Sequence, residues 1–216
     1  MLFFILWLLI PTIFSAYFSA RLIYLIMQCL IGNRSLKTLR HPARTLIVIG
    51  SGGHTAEMLR LMNKMNKKKF TPRLYLLANT DTTSQIRVEN EECGIDWSIV
   101  KIPRSRYVNQ SYLTSIFSTI YSIFMTVPVV ISFKPDLVLC NGPGTCVPVC
   151  FVAFLVKLFH YVDTSIIFVE SICRVNTLSL TGKIMYFFAD LIIVQWYELK
   201  QKYGMRVKYL DEGLSS

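Results

Sequence analysis

The chain has 216 residues, of which 53% are hydrophobic, and it carries a formal net charge of +10. Its basic residues are dispersed among apolar segments, which argues against nucleic acid as a partner and favours an anionic membrane surface or a phosphorylated ligand. The part that follows residues 1–44 is long enough for one domain with a sizeable core.

The N-terminal segment predicts one transmembrane helix. Residues 1–20 carry no charge, and a helix from about residue 2 to 20 is long enough to cross the ~30 Å hydrocarbon layer of a bilayer. The apolar run resumes after Arg21 and continues to Ile31. A cleavable signal peptide is the alternative, but no basic residue precedes the run, and the run is long for a signal.

Basic residues follow the first apolar run, and none precedes it. By the positive-inside rule, this asymmetry predicts that the C-terminal side of the helix faces the cytosol. The basic residues are Arg21, Arg34, Lys37, Arg40 and Arg44. The chain is therefore divided into a transmembrane anchor (residues 1–31), a basic juxtamembrane linker (residues 32–44) and a folded domain (residues 45–216).

A glycine-rich loop follows the first predicted strand, Thr45–Ile49. Apolar residues recur at helical spacing after the loop, so the predicted order is strand, loop and helix N-terminus. The backbone N–H groups and the dipole of such a helix favour a phosphate ligand. The loop fits neither the Walker sequence nor the G-x-G-x-x-G dinucleotide pattern. A tight turn in which His54 only caps the helix is the alternative.

Strand-like segments alternate with helical ones along the rest of the chain, and this alternation predicts a doubly wound, mostly parallel sheet. The predicted strands are Thr45–Ile49, Leu74–Ala78, Trp97–Ile102, Leu137–Cys140, Ile166–Val169, Leu191–Val194 and Val207–Leu210. Ligands of such sheets bind outside the carboxyl ends of the strands.

Polar and glycine residues directly follow six of the predicted strands, and together they predict a single site at that edge. They lie at residues 50–54, 79–81, 103–106, 141–145, 170–171 and 195–196. Each segment has a simpler interpretation by itself. Asn141 is also typical of an Asx turn, Glu170 of a helix cap, and the arginines at 104 and 106 of a solvated face.

Two further apolar segments predict helices that cover the sheet. Leu113–Phe133 is uncharged over 21 residues, which is long enough to span a bilayer. A span would place the strands on either side of it in different compartments, and the sheet would not close. We therefore predict a helix that packs on the sheet and touches the membrane with one face. Val147–Phe159 predicts the second helix.

Four segments of this chain stand out as motifs: GSGGHTAEML, IPRSR, FKPDLVLCNGPGTCVPV and FVESICRVNTLSLTGKI. They resemble the motifs of one known family, the membrane-anchor subunits of the two-chain, dolichol-linked N-acetylglucosaminyltransferase (the asparagine-linked glycosylation protein fourteen family). They occur in the family's order, and the resemblance covers roughly residues 44–210. More distantly, the chain is similar to the N-terminal half of the bacterial lipid-linked transferase that makes the peptidoglycan precursor.

The resemblance implies an α/β, Rossmann-like half of a GT-B glycosyltransferase. A separate soluble subunit would carry the donor-binding half and most of the contacts with UDP-N-acetylglucosamine, and this chain would bind no cofactor. The implied reaction adds the second N-acetylglucosamine to dolichol-diphosphate-N-acetylglucosamine in N-glycan precursor synthesis. It would take place on the cytosolic face of the endoplasmic reticulum membrane.

Together with the loop chemistry, the resemblance gives each candidate residue an expected role. The acceptor diphosphate would contact Gly50, Ser51, Gly52, Gly53, Thr55, Arg104 and Arg106. The general base that takes the proton of the acceptor hydroxyl would be His54 or Glu170, and His54 as a plain hydrogen-bonding partner of the diphosphate stays open. The cleft would be shaped by Asn141, Gly142, Gly144, Thr145 and Ser171. No metal site is expected, because nothing completes a zinc set with Cys146 and Cys150.

Two other functions remain open from the sequence. The chain would be a pure membrane scaffold if a fully catalytic partner supplied every site residue. It would be a self-sufficient enzyme if it transferred sugar alone. In the family the C-terminal tail is expected to dock on the partner, whereas this chain ends in the polar sequence YLDEGLSS.

Overall fold

The computed structural model describes residues 2–31, 39, 41–94, 96–106, 110–142 and 144–210. Much of the predicted basic linker and the last six residues of the tail lie outside this range. Within this range the strands are β1 (Thr45–Val48), β2 (Arg73–Ala78), β3 (Trp97–Ile102), β4 (Leu137–Asn141), β5 (Ser165–Val169), β6 (Leu191–Val194) and β7 (Val207–Tyr209). The α-helices among the described residues are α1 (Leu2–Ile31), α2 (Gly53–Lys64), α3 (Thr82–Glu91), α4 (Tyr112–Phe133), α5 (Cys146–Leu158), α6 (Leu180–Phe188) and α7 (Tyr197–Tyr203).

The strands form one sheet in the order β3-β2-β1-β4-β5-β6-β7, and all neighbouring strands are parallel. The doubly wound parallel sheet predicted from the sequence is therefore confirmed. The chain builds outward in one direction from β1 to β3 and in the other from β4 to β7. The boundary between β1 and β4 is thus the topological switch point, where ligands of such sheets bind.

Both faces of the sheet are covered, which explains the nearly continuous apolar character of the central strands. One core lies under α4, α5, α6 and the C-terminal half of α1, and its centre contains Phe154 and Phe168. The other core lies under α2 and α3, where Met58 and Met62 pack against Ile47 and Tyr75. The edge strand β3 is only partly buried.

Helix α1 covers Leu2–Ile31 and so includes both apolar runs. The Arg21 guanidinium lies 5.6 Å from the centre of the Tyr24 ring, one turn along the helix, so the single charge does not interrupt the helix. The C-terminal half of α1 packs on α5 and α6, and Leu25 is only 2% exposed. From Leu9 to Tyr17 the side chains face outward, as Ile13 does with 66% exposure.

Helix α4 lies on the sheet and packs along α5. Strands β3 and β4, which precede and follow α4, belong to the same sheet, so the helix begins and ends on one side of any membrane. By length and composition, α1 (from Leu9 to Ile31) and α4 (from Leu113 to Phe133) are the two described helices that could cross a bilayer. The sheet topology argues against a span for α4, and α1 is compatible with a membrane anchor.

Candidate functional site

A cleft of about 900 Å³ opens at the carboxyl ends of the strands, beside the boundary between β1 and β4. Segments from both halves of the sheet line it, so residues distant in sequence meet there. Ten of the predicted site residues line the cleft: Ser51, Gly53, His54, Arg104, Arg106, Gly142, Gly144, Thr145, Glu170 and Ser171.

The N-terminal turns of four helices contribute to the cleft walls. First-turn residues of each helix line the cleft, among them Gly53 of α2, Ser115 of α4, Val147 of α5 and Leu180 of α6. Each helix N-terminus carries a partial positive charge. Serine side chains cap α4 and α6, whereas α2 and α5 have no side-chain cap among the described residues. Convergence of four such ends makes the cleft attractive to an anion.

Three other predicted residues of this region, Gly50, Gly52 and Thr55, lie outside the cleft lining and stabilise the loop. Gly52 precedes α2 with φ of +67°, a conformation that favours glycine. The Thr55 side chain is fully buried, and its hydroxyl lies 2.5 Å from the Gly50 carbonyl oxygen and 2.7 Å from Ser84 Oγ. The Thr55 side chain therefore fastens the loop and is turned away from a ligand, contrary to its expected role in binding the diphosphate.

His54 occupies the first turn of α2 and faces the cleft with a half-buried side chain, 31% exposed. Its Nδ1 lies 2.8 Å from Asn141 Oδ1. The backbone of Gly142 packs against the His54 imidazole. A Cβ at this position would come within 2.3 Å of the ring, so only glycine fits. Asn141 itself is buried and does not line the cleft, so it acts on the site by holding His54.

Glu57, which was not among the predicted site residues, lies one helical turn after His54 and lines the cleft. Its Oε2 accepts a hydrogen bond from Asn141 Nδ2 at 2.9 Å. Its Oε1 accepts from Ser171 Oγ at 3.1 Å and from the Ile172 N–H at 3.3 Å. The spacing of three residues on one helix face is the sequence signal that links Glu57 to His54.

Glu170 is fully buried at the back of the cleft. Its carboxylate accepts hydrogen bonds from the Ser171 N–H at 3.1 Å, and from the N–H and hydroxyl of Ser179 at 2.8 and 3.1 Å. Ser179 caps α6, so the carboxylate also lies at the positive end of that helix. These contacts fit an anchor for α6 better than a base exposed to substrate, which leaves His54 as the stronger candidate.

The arginines after β3 form a basic rim. Arg104 and Arg106 line one wall, and Arg106 also donates to the Gln110 carbonyl oxygen at 3.1 Å. Arg174, from the segment between β5 and α6, lines the cleft as well and was not predicted. Ser105, between the two arginines, is 1% exposed, and its hydroxyl has no hydrogen-bond partner among the described residues. Buried hydroxyl groups in proteins normally have a hydrogen-bond partner, so this one is available to a group that enters the cleft.

Two of the predicted segments that follow strands stabilise the fold and do not line the cleft. Asp81 caps α3 by accepting from the Ser84 N–H at 3.0 Å. Gln195 and Trp196 donate to the carbonyl oxygens of Glu170 and Ile172, at 3.1 and 2.6 Å, and so support the segment after β5. Within the described ranges, no group of three or more His, Cys, Asp or Glu side chains is arranged to hold a metal ion.

Comparison with known families gives a match over residues 45–212 to the family described as oligosaccharide biosynthesis protein Alg14 like. The chain belongs to the Alg14 family. Curated Alg14 relatives are named UDP-N-acetylglucosamine transferase subunits. The rat protein is 47% identical over 79% of this chain and 83% of its own length, and the human protein 41% over 90% and 95%. The Saccharomyces cerevisiae protein is 31% identical over 80% and 78%.

Among solved structures, MurG of Acinetobacter baumannii matches with a TM-score of 0.56 at 14% identity, over 73% of this chain and 43% of MurG. This likeness concerns the fold. It confirms the predicted Rossmann-like, mostly parallel α/β fold. The family recognised from the four sequence motifs is confirmed as well.

Proposed function

We propose that this chain is the acceptor-binding and membrane-anchoring subunit of a transferase that adds the second N-acetylglucosamine to dolichol-diphosphate-N-acetylglucosamine. Its Alg14 relatives are named subunits of UDP-N-acetylglucosamine transferase, which supports a second polypeptide as partner. That soluble subunit would bring UDP-N-acetylglucosamine and close the cleft from the opposite side, and this chain would hold no cofactor of its own.

The observation that carries the proposal is the electropositive cleft. Four helix N-termini and the side chains of Arg104, Arg106 and Arg174 meet around it. Its two lining carboxylates, Glu57 and Glu170, are both engaged by hydrogen-bond donors. A diphosphate suits this arrangement, because helix ends and guanidinium groups both favour phosphate oxygens. The Ser105 hydroxyl, unpartnered within the described part of the chain, would donate to one of those oxygens.

His54 is the proposed general base. The acceptor sugar hydroxyl attacks the anomeric carbon of the donor sugar, and the bond from that carbon to the UDP oxygen breaks. UDP departs with the bonding electron pair, and the hydroxyl proton passes to His54. A base in this position accelerates transfer because the hydroxyl is a weak nucleophile while it keeps its proton.

The proposed location is the endoplasmic reticulum membrane, with the domain in the cytosol. Helix α1 would span the bilayer, and the basic residues that follow it favour the cytosolic side. Helix α4 would touch the same membrane, since Ser115 and Thr119 line the cleft while Phe117 and Phe124 are 76% and 69% exposed. A lipid-linked acceptor could then place its headgroup in the cleft with its chain still in the bilayer.

The deciding experiment is a transfer assay with purified chain and partner, in which each polypeptide is omitted in turn. We expect activity only from the pair. Histidine-to-alanine substitution at His54 should lower kcat by about 10²- to 10⁴-fold, the usual contribution of a general base. His41→Ala is the matched control, because His41 is exposed and contacts the Lys69 carbonyl oxygen, remote from the lining residues.

The same assay tests the anion site. Arg104→Gln and Arg106→Gln should raise the acceptor KM, and Arg60→Gln, an exposed arginine outside the cleft, should leave it unchanged. If the His54→Ala variant still binds its partner and transfers at the wild-type rate, the chain is a scaffold and the proposal is wrong.

A further inference from the structure

Glu57, Asn141 and His54 form a continuous chain of hydrogen bonds that ends in the cleft. Glu57 Oε2 lies 2.9 Å from Asn141 Nδ2, and Asn141 Oδ1 lies 2.8 Å from His54 Nδ1. The Glu57 side chain is only 15% exposed, and Asn141 is buried. No described residue forms a hydrogen bond with His54 Nε2, which leaves this nitrogen to the cleft.

The chemistry of these groups allows only one arrangement of protons. An ionised carboxylate has acceptors and no donor, so it requires the NH2 group of Asn141 to face Glu57. The Asn141 carbonyl oxygen must then face His54, and an oxygen accepts only from a protonated nitrogen. Nδ1 therefore carries the proton of the neutral imidazole, and the lone pair lies on Nε2.

We propose that Glu57 is a positioning residue that fixes the tautomer of His54 through the Asn141 amide and keeps the basic Nε2 directed at the acceptor hydroxyl. This inference rests on the proposed function, in which His54 is the base. When Nε2 takes the hydroxyl proton, the imidazolium keeps its Nδ1–H on Asn141. The Glu57 carboxylate oxygen, 3.9 Å from Nδ1, then opposes the new positive charge.

Glu57 also connects α2 to the segment after β5 through Ser171 and Ile172. A purely structural role would therefore lower activity too, and the test must separate the two roles. Glu57→Gln is the variant of choice, because an amide of nearly the same shape presents either an oxygen or an NH2 group. It fills the same space and no longer dictates which way the Asn141 amide points.

The direct measurement is nitrogen NMR of the full chain in complex with its partner, with labelled histidine. The chain has three histidines, and the spectrum of His54→Ala identifies the His54 resonances. In the wild-type protein, the neutral His54 should show a protonated Nδ1 and an unprotonated Nε2. In Glu57→Gln, the form protonated at Nε2 should gain population.

Kinetics supply the second measurement. Glu57→Gln should lower kcat by about tenfold or more, within the ~10²- to 10⁴-fold limit set by loss of the base itself, and should change the acceptor KM by less than about twofold. In the His54→Ala background, Glu57→Gln should cause no further loss of kcat, because a residue that acts through His54 has nothing left to position. Glu89→Gln, the same change on the exposed face of α3, is the control and should match the wild type.

The inference is overturned if wild-type His54 carries its proton on Nε2, or if Glu57→Gln leaves the tautomer unchanged. It is equally overturned if Glu57→Gln lowers kcat by the same factor with and without His54. A fully active His54→Ala variant would instead refute the proposed function, and the NMR measurement would still decide whether Glu57 sets the tautomer.

Discussion

Gly142 is the residue whose replacement should affect His54 most directly. Its φ is +76°, and a Cβ at this position would come within 2.3 Å of the His54 ring. Gly142→Ala should therefore displace the imidazole from Asn141, and the lost alignment should lower kcat by at least about tenfold. The unfavourable φ should also lower the free energy of unfolding by about 1–2 kcal/mol. The transfer assay and thermal unfolding of the same sample measure the two effects.

Gly204→Ala is the matched control for this prediction. Gly204 has a similar φ of +63°, and a Cβ built there has open space around it. This variant should show a comparable loss of stability and should keep its kcat. If both variants lose activity to the same extent, backbone strain alone explains the loss. The contact between Gly142 and His54 then makes no contribution to kcat.

Side chains at the ends of strands could be predicted from the sequence, but their orientations could not. His54 and Ser171 lie at the cleft because the parallel sheet brings strand ends together. Thr55 follows His54 directly, yet helical rotation turns it inward to Gly50. Glu57 was missed because glutamate in a helix is usually solvated, and its partner Asn141 is distant in sequence.

At the scale of elements, β2 and the end of α3 share a buried polar cluster that should respond to alkaline pH. The Tyr75 hydroxyl donates to Glu92, which also accepts from Arg73 at 2.9 Å and lies 3.3 Å from the Lys67 ammonium. Burial, reinforced by the hydrogen bond to Glu92, raises the pKa of Tyr75 well above its ordinary value.

The sign of the pH effect follows from this shift. The folded protein keeps the Tyr75 proton at a pH at which the unfolded chain loses it, so the stabilisation is complete below pH ~10 and falls as the pH rises further. Between neutral pH and pH ~11, we expect the wild type to lose about 1.4 kcal/mol more of its free energy of unfolding than Tyr75→Phe loses, because only the unfolded tyrosine ionises in this range. Denaturant unfolding between neutral pH and pH ~11 measures the slope.

Tyr197→Phe is the control for the alkaline slope, because the Tyr197 side chain is 53% exposed. It should reproduce the wild-type dependence on pH. An unchanged slope in Tyr75→Phe would assign the alkaline sensitivity to another group. The Cys140 thiol, whose pKa is raised by burial and by its neighbours Cys146 and Cys150, would be examined next.

The elements themselves followed well from sequence periodicity. The predicted β3 and β6 have the observed bounds, and the other strands differ by one residue at one end. Helix α1 covers both apolar runs, and the Arg21 side chain between them lies against the Tyr24 ring. Packing of the second half of α1 on α5 and α6 is a tertiary contact that the apolar pattern could not specify.

At the scale of the whole molecule, the helical layer on one face of the sheet unites the cleft with the proposed membrane contact. In this layer α4 packs on α5, α5 on α6, and α6 on α1. The N-terminal half of α4 contributes Ser115 and Thr119 to the cleft. The side chains of Phe117 and Phe124, also on α4, are exposed to the outside. An acceptor headgroup and its lipid chain would therefore lie on two sides of one helix.

This geometry predicts that α4 contributes to binding of the lipid-linked acceptor, whereas α1 attaches the protein to the membrane. The double variant Phe117→Glu, Phe124→Glu should stay in the membrane fraction through α1, since each phenylalanine contributes only about 1.5–3 kcal/mol of apolar burial. The KM of this double variant should rise about tenfold or more for a long-chain acceptor, and by less than about twofold for a water-soluble short-chain analogue.

The control is Ile86→Glu, a 57% exposed position on α3 at the opposite face of the sheet, which should change neither KM. An equal effect on both acceptors would mean that the glutamates distort the cleft, and α4 would then have no specific part in lipid binding.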